Sequence, residues 1–277
     1  MSLFLLFYSC KKDALNNNTS IGTSTLVVDN DSNLQHFING KKFQLAWSDE
    51  FNEKSLDTAL WNYRYGERIS SNNLSKNIIV EDGLLKIKLI KEKSFIENEN
   101  GVSSTPSQLQ FTSGGVISKS LFDTGYYECS VKFPSANNWH TSFWTIQYYT
   151  VKNNEIDIEE NTSDSEINQT YHCGTIDWNP YYDPLGLTLF GYNVKGDKFP
   201  TLDKSFNLYG CLVTSDSIKY YFNNIEVVGY KISKTWSSMQ IKPANILLTS
   251  VGLTGCSIMP NLDYDEADFD YVRYYKE

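Results

Sequence analysis

The hexapeptide Glu155-Ile-Asp-Ile-Glu-Glu160 alternates acid with isoleucine before ending in a second glutamate. In a β-strand successive side chains point to opposite faces, so a period of two reads as a strand. Glu155, Asp157 and Glu159 would line one face of a regular strand, with Ile156 and Ile158 on the other. Similar short β-rich runs recur at residues 77–81, 84–90, 115–118, 126–133, 142–147, 169–175, 207–214, 217–222, 225–230, 245–251 and 268–275. Turn signals such as Glu81-Asp82-Gly83 and Asn223-Asn224 fall between them. No run of ten or more residues carries a clear helical period, apart from a weak one around residues 233–239. Many short strands at this spacing imply a sandwich or barrel, and 277 residues suit one large domain. Aromatics at 14%, with 19 Tyr and 6 Trp, favour sheets and sugar-stacking clefts over a helical bundle.

A row of carboxylates on one sheet face repels itself and has poor strand propensity, so it is seldom there for stability. An exposed acidic edge strand or a cation site would tolerate it. It also matches what a retaining glycosidase requires: two carboxyl groups about 5–5.5 Å apart, one attacking and one donating a proton. Residues four apart on a strand have Cα atoms roughly 13 Å apart. Two glutamates leaning inward by ~4 Å each close that gap, and the aspartate between them can hold one by a hydrogen bond.

The formal charge of −9 argues against a nucleic-acid partner, and against a polyanionic substrate unless a local basic patch overrides the total. No stretch reaches the ~18 apolar residues needed to span a bilayer. The N-terminus is apolar as far as Ser9-Cys10 and then turns to Lys11-Lys12-Asp13. It resembles the end of a bacterial lipoprotein signal peptide, with Cys10 as the lipidated residue. Residues 1–10 therefore read as signal-like, residues 11–42 as a polar tether, and residues 43–277 as the folded domain. On that reading the protein is exported, a monomer, and anchored by lipid alone at the surface or in the periplasm of a Gram-negative cell. Cys129, Cys173, Cys211 and Cys256 match no zinc spacing; they are either paired or buried and reduced.

Several blocks, taken in order, resemble glycoside hydrolase family sixteen, the laminarinase, lichenase and agarase group. They are Trp47-Ser-Asp-Glu-Phe51 followed by Trp61; Thr112-Ser-Gly-Gly-Val-Ile-Ser-Lys119; Phe122-Asp-Thr-Gly-Tyr-Tyr-Glu128; Val131-Lys-Phe-Pro134; the acidic motif; Tyr171-His172-Cys-Gly174; and Phe269-Asp-Tyr-Val-Arg-Tyr-Tyr275. The resemblance implies a β-jelly-roll sandwich of two antiparallel sheets, concanavalin-like, with a concave substrate cleft. It implies an endo-acting, retaining hydrolase of a β-linked polysaccharide that requires no cofactor. Asp270 is a candidate ligand for a structural calcium, as in some members.

By the same resemblance Glu155 is the nucleophile and Asp157 its helper. The acid/base is Glu159 if the strand is regular, or Glu160 if a β-bulge inserts a residue. Asn161 after Glu160, and His172 on the next strand, favour Glu160. Trp139 and Trp144 flank the motif and are expected, with His172, to bind sugar. Trp144 suits core packing equally well, and His140 matches no motif and reads as structural. The long aromatic loop read at residues 177–197, and Trp139-His-Thr-Ser-Phe-Trp144, depart from the common glucanases. A β-1,3- or mixed-linkage glucan is the first expected substrate, and a galactan of the agar or porphyran kind the second. A surface carbohydrate-binding lipoprotein without turnover is the alternative from another class; binding alone does not need three acids on one strand.

Overall fold

The computed structural model describes residues 27–28, 35–135, 139–148, 154–162, 170–178, 187–195, 202–232, 241–253 and 263–277. Among them are 21 strands and one 3-10 turn, Ser75–Asn77. The expected all-β jelly roll is what forms: two curled layers, antiparallel throughout except where Thr112-Ser113 pairs parallel with Asn72-Asn73.

The front layer runs, edge to edge, Trp61–Tyr63, Phe111–Ser118, Asn245–Gly252, Trp139–Ile146, Asn154–Thr162, Thr170–Asp177 and Leu187–Lys195. The acidic motif thus lies near the middle of this sheet. The back layer is built around Gly125–Lys132 and Tyr264–Lys276, flanked by Asn207–Val213, Ser217–Phe222 and Ile225–Lys231 on one side. On the other side lie Lys41–Asp49 and Leu84–Lys91. Phe111–Ser118 joins the layers: its first residues pair with Leu84–Lys91, its later ones with the front sheet.

Period-two alternation seals the core. Phe143, Ile156, Ile158, Tyr171, Cys173, Ile246 and Leu248 of the front meet Cys129, Val131, Tyr209, Cys211, Tyr220 and Phe269 of the back. Cys129, Cys173 and Cys211 are free and buried in this layer; Cys256 lies outside the described residues. In the opening motif, Asp49 accepts hydrogen bonds from the Trp61 indole (2.7 Å) and the Phe51 amide (2.8 Å). The second bond closes a local turn that holds Phe51 at a positive φ of 49°.

Two expectations are corrected here, and one element was not foreseen. The tether does not extend to residue 42, because Gln35–Ile38 pairs with Lys41–Asp49 and buries Ile38 and His36. His36 packs edge-on against Tyr126 and Tyr275, with Nε2 3.5 Å from Glu128 Oε2. The aromatic segment 177–197 is not all loop: Leu187–Lys195 is the edge strand of the front sheet. Phe95–Asn98 and Gly101–Pro106 form a hairpin that the sequence pattern did not announce. The weak helical period at residues 233–239 falls outside the described residues.

Candidate active site

The acidic strand Asn154–Thr162 is irregular at its centre. Against Trp139–Ile146, Phe143 faces Glu159 and Trp144 faces Asp157, so Ile158 is an extra residue. Against Thr170–Asp177, Gly174 faces Asp157 and His172 faces Glu160, again one residue too many on the acidic strand. This is a β-bulge, and it resets the alternation. Paired residues share a face, and Ser142 and Trp144, two apart, oppose Glu160 and Asp157. Glu155, Asp157 and Glu160 therefore project from one face of the sheet. Ile158 and Glu159 project from the other, where they are 1% and 0% exposed.

On the cleft face Glu155 accepts a hydrogen bond from the Trp178 indole N–H at 2.9 Å. It also shares a hydrogen bond with Asp157, whose carboxyl is pushed well up by burial, then by the charges of Glu160 and Glu155, and by that bond. A protonated Asp157 is the donor in such a pair, so Glu155 has two donors favouring its ionised form.

Glu160 lies between two imidazoles. His140 Nε2 is 3.1 Å from Oε1, and His172 Nδ1 is 3.3 Å from Oε2. Burial alone would raise the Glu160 carboxyl; His140 first, then His172, outweighs it and holds the group at about 2. His172 is directly opposite Glu160 on its strand, whereas His140 reaches it diagonally, being two residues before Ser142.

Glu159 is in the opposite state. It enters the inter-sheet core, close enough to Cys129 and Tyr209 of the back layer to affect their ionisation. Burial first, then the Glu160 charge, pushes its carboxyl well up; the Phe143 and Asn161 backbone only partly offset this. Neither carboxyl oxygen has a well-formed hydrogen bond.

Beside Glu155 the cleft has an apolar floor of Ile117, Ile146 and Leu247 with Trp144, Tyr148 and Trp178 packed on it. Trp144 donates its indole N–H to Thr249 Oγ1 at 3.0 Å, and the Arg64 guanidinium lies 5.3 Å above its ring. Arg68 donates to the Tyr148 hydroxyl at 3.0 Å. Burial and the neighbouring Arg68 charge lower the Arg64 guanidinium. Burial would raise the Tyr148 phenol, but the two arginines push it down. The wall beside Glu155 is thus locally positive in a chain of net charge −9.

The family model described as β-porphyranase A–D, GH16 domain, matches residues 42–276. The chain belongs to glycoside hydrolase family 16. The κ-carrageenase of Pseudoalteromonas carrageenovora is 30% identical over 218 residues, 70% of this chain and 52% of that protein. The β-porphyranase D of Zobellia galactanivorans is 28% identical over 192 residues, 62% of this chain and 44% of that protein. Glucan endo-1,3-β-glucosidase A1 of Niallia circulans is 26% identical over 206 residues, 64% of this chain and 28% of that protein. The chain spans 28% to 52% of the length of these relatives. The endo-β-1,3-glucanase of Pyrococcus furiosus superposes with a TM-score of 0.70 at 21% identity, covering 88% of this chain and 98% of that one. The laminarinase catalytic domain of Thermotoga petrophila RKU-1 gives 0.69 at 18% identity, covering 85% and 98%. At these identities the likeness is one of fold.

Within this family-16 domain Trp144 and His172 stand on the same face of the sheet as Glu155, Asp157 and Glu160. Trp139 does not. It precedes His140, and alternation turns it inward, where it is 1% exposed and packs edge-on against Phe111 at 5.5 Å beside Leu89. It is a core residue, not a sugar platform. His140, read as structural, is in the cleft. Asp270 is a half-buried bulge residue of the back sheet, between residues paired to Ser130 and Val131. Among the described residues no group of three or more His, Cys, Asp or Glu side chains is placed to hold a metal ion. Cys10 lies outside the described residues. Arg64, Arg68 and Tyr148 were not singled out from the sequence, and Trp178 was noted only as one aromatic of the 177–197 loop. A signal for the arginines was present: two guanidiniums four residues apart, next to Trp61, in an acidic chain.

Proposed function

We propose that this family-16 domain is a retaining endo-β-glycanase acting on a β-linked galactan that carries anionic substituents such as sulfate esters. The observation that carries the reaction type is the bulged acidic strand with Glu155, Asp157 and Glu160 on one face. Glu155, with two donors favouring its charged form, is the nucleophile. Asp157 orients it. Glu160 is the acid/base on the other side of the scissile bond. In the first step Glu155 bonds to the anomeric carbon as the bond to the leaving sugar breaks; in the second, water displaces Glu155. Trp144 offers a face for a sugar ring.

The galactan ranks above β-glucan for two reasons. The matching family model is one of porphyranases, and Arg64 and Arg68 place positive charge beside Glu155, which a neutral glucan does not use. Reducing-end release from porphyran, agarose, κ-carrageenan, laminarin and mixed-linkage glucan tests the reading. Cleavage is expected for a sulfated galactan, and Arg64→Gln should lower kcat/KM on it by about tenfold while changing activity on a desulfated analogue little. Tight binding to one polymer without cleavage of any would favour the non-catalytic alternative. The N-terminal features extend the proposal to an exported protein anchored through lipid on Cys10. Cys10→Ser should then release it from membranes.

A further inference from the structure

An acid/base carboxyl must carry a proton before it can give one to the leaving oxygen. Glu160 has the surroundings of a carboxylate that stays ionised. Each of its oxygens has an imidazole nitrogen within 3.3 Å, His140 Nε2 on Oε1 and His172 Nδ1 on Oε2. His140 contributes the larger pull of the two. Ser142 Oγ, 3.3 Å from the same Nε2, helps fix the ring. The side chains of His140, Glu160 and His172 are 17%, 14% and 21% exposed, so the cluster opens on the cleft.

We propose that His140 is a positioning residue that stores the proton Glu160 delivers. This rests on the reading of Glu160 as the acid/base. In the first step the bond between the anomeric carbon and the leaving oxygen breaks as Glu155 attacks. The leaving oxygen takes a proton from Glu160, and Glu160 takes one from His140 Nε2–H, which becomes neutral. In the second step water adds to the anomeric carbon as the bond to Glu155 breaks. The proton lost by water passes to Glu160 and on to His140, restoring the starting charges. One proton moves out and one returns in each cycle.

Among the described residues, the other ionisable groups that bear on this cluster come from three places. His172 faces Glu160 from the next strand. Asp157 and Glu155 face it along the cleft side of its own strand, and Glu159 lies behind it. Cys173 lies on the core side. Asn245–Gly252, which flanks His140 on its other edge, brings no ionisable side chain. Of these groups His140 and His172 alone can offset the Glu160 charge, and His140 has the shorter contact.

The test is the pH dependence of kcat/KM from about pH 4 to about pH 9 for wild type, His140→Gln, His172→Gln and Glu160→Gln. The polymer is whichever is cleaved best in the substrate screen. Glutamine keeps a donor near the Nε2 position but cannot store a proton. His140→Gln is expected to lose roughly 10–100-fold at neutral pH and to move the alkaline limb to lower pH by about one unit or more. On an activated aryl glycoside, whose leaving group needs no proton, it should stay within about threefold of wild type. A uniform loss at every pH with the limb unmoved overturns the proposal and leaves the Glu160 assignment standing. Full activity in Glu160→Gln overturns that assignment instead.

Discussion

The two faces of the strand Asn154–Thr162 hold the same kind of residue in opposite states. Glu160 and Glu159 are neighbours in sequence, and both are largely removed from solvent. On the cleft side, two imidazoles within 3.3 Å hold Glu160 ionised. On the core side, Glu159 meets Cys129, Tyr209 and hydrocarbon, and the cost of burying a charge pushes its carboxyl well up. The difference is that a charge inside a protein is set by what compensates it, and burial by itself does not settle the outcome. One inserted residue assigns the two glutamates to the two environments.

Substitutions on the cleft face should therefore cost rate, and those on the core face should change stability. The largest effect is expected for Glu155→Gln, at least ~10⁴-fold in kcat on polymer, because no other group replaces a nucleophile. Glu160→Gln should lose roughly 10²–10⁴-fold on polymer and recover part of its first step on an activated aryl glycoside, where Glu155→Gln should not. Both should unfold within a few degrees of wild type. If Glu159→Gln proves the crippling change instead, the assignment of faces is wrong.

Trp178→Phe comes next. It keeps the ring on the cleft floor but removes the N–H that holds Glu155 at 2.9 Å. Hydrogen bonds to charged groups are worth about 1.5–3 kcal/mol, so a loss of roughly 10–100-fold in kcat is expected. An unchanged kcat would remove Trp178 from the chemistry.

Glu159→Leu should leave activity within about threefold of wild type and change how stability depends on pH. The Glu159 carboxyl is raised in the folded state, so its contribution to stability is complete below the ordinary value near 4.5. It is then lost as pH rises through the folded value. Each unit of that rise costs ~1.4 kcal/mol. Denaturant unfolding at about pH 4 and about pH 8 should show wild type weakening with pH and Glu159→Leu weakening less. Equal slopes would mean that Glu159 is charged and compensated after all. The smallest effect belongs to Trp139→Phe: KM unchanged, and stability lower by about 1–3 kcal/mol. A rise in KM would return Trp139 to the cleft.

The fold was legible because period-two runs separated by turn residues admit few architectures, and because ordered blocks from Trp47 to Tyr275 resembled one family. The bulge was legible from Glu160-Asn161 and His172. The wall residues were harder to read. Trp139 was assigned to the cleft because it flanks the acidic motif, yet face follows from parity along the strand, and Trp139 is odd where Trp144 is even. His140 was missed because it meets Glu160 diagonally across two strands, a contact that depends on register. Arg64 reaches the site from Tyr63–Arg64, more than 90 residues away in sequence, through the pairing of Trp61–Tyr63 with Phe111–Ser118. Composition recorded these charges and could not locate them. The strand Leu187–Lys195 was hidden because its aromatics read as a loop until Thr170–Asp177 supplied the edge it pairs with.

The three cysteines between the layers act as a clock for the whole fold. Cys173 sits on the front sheet, and Cys129 and Cys211 on the back. Burial raises all three thiols well above their ordinary value, so the reactive thiolate is scarce while the sheets stay closed. A thiol reagent can modify them only in molecules that have opened, and the pace of modification counts those openings. Saccharide bound across the front sheet should slow the label at Cys173 and at Cys211 alike if the layers part together. It should slow Cys173 alone if the front sheet can peel away by itself.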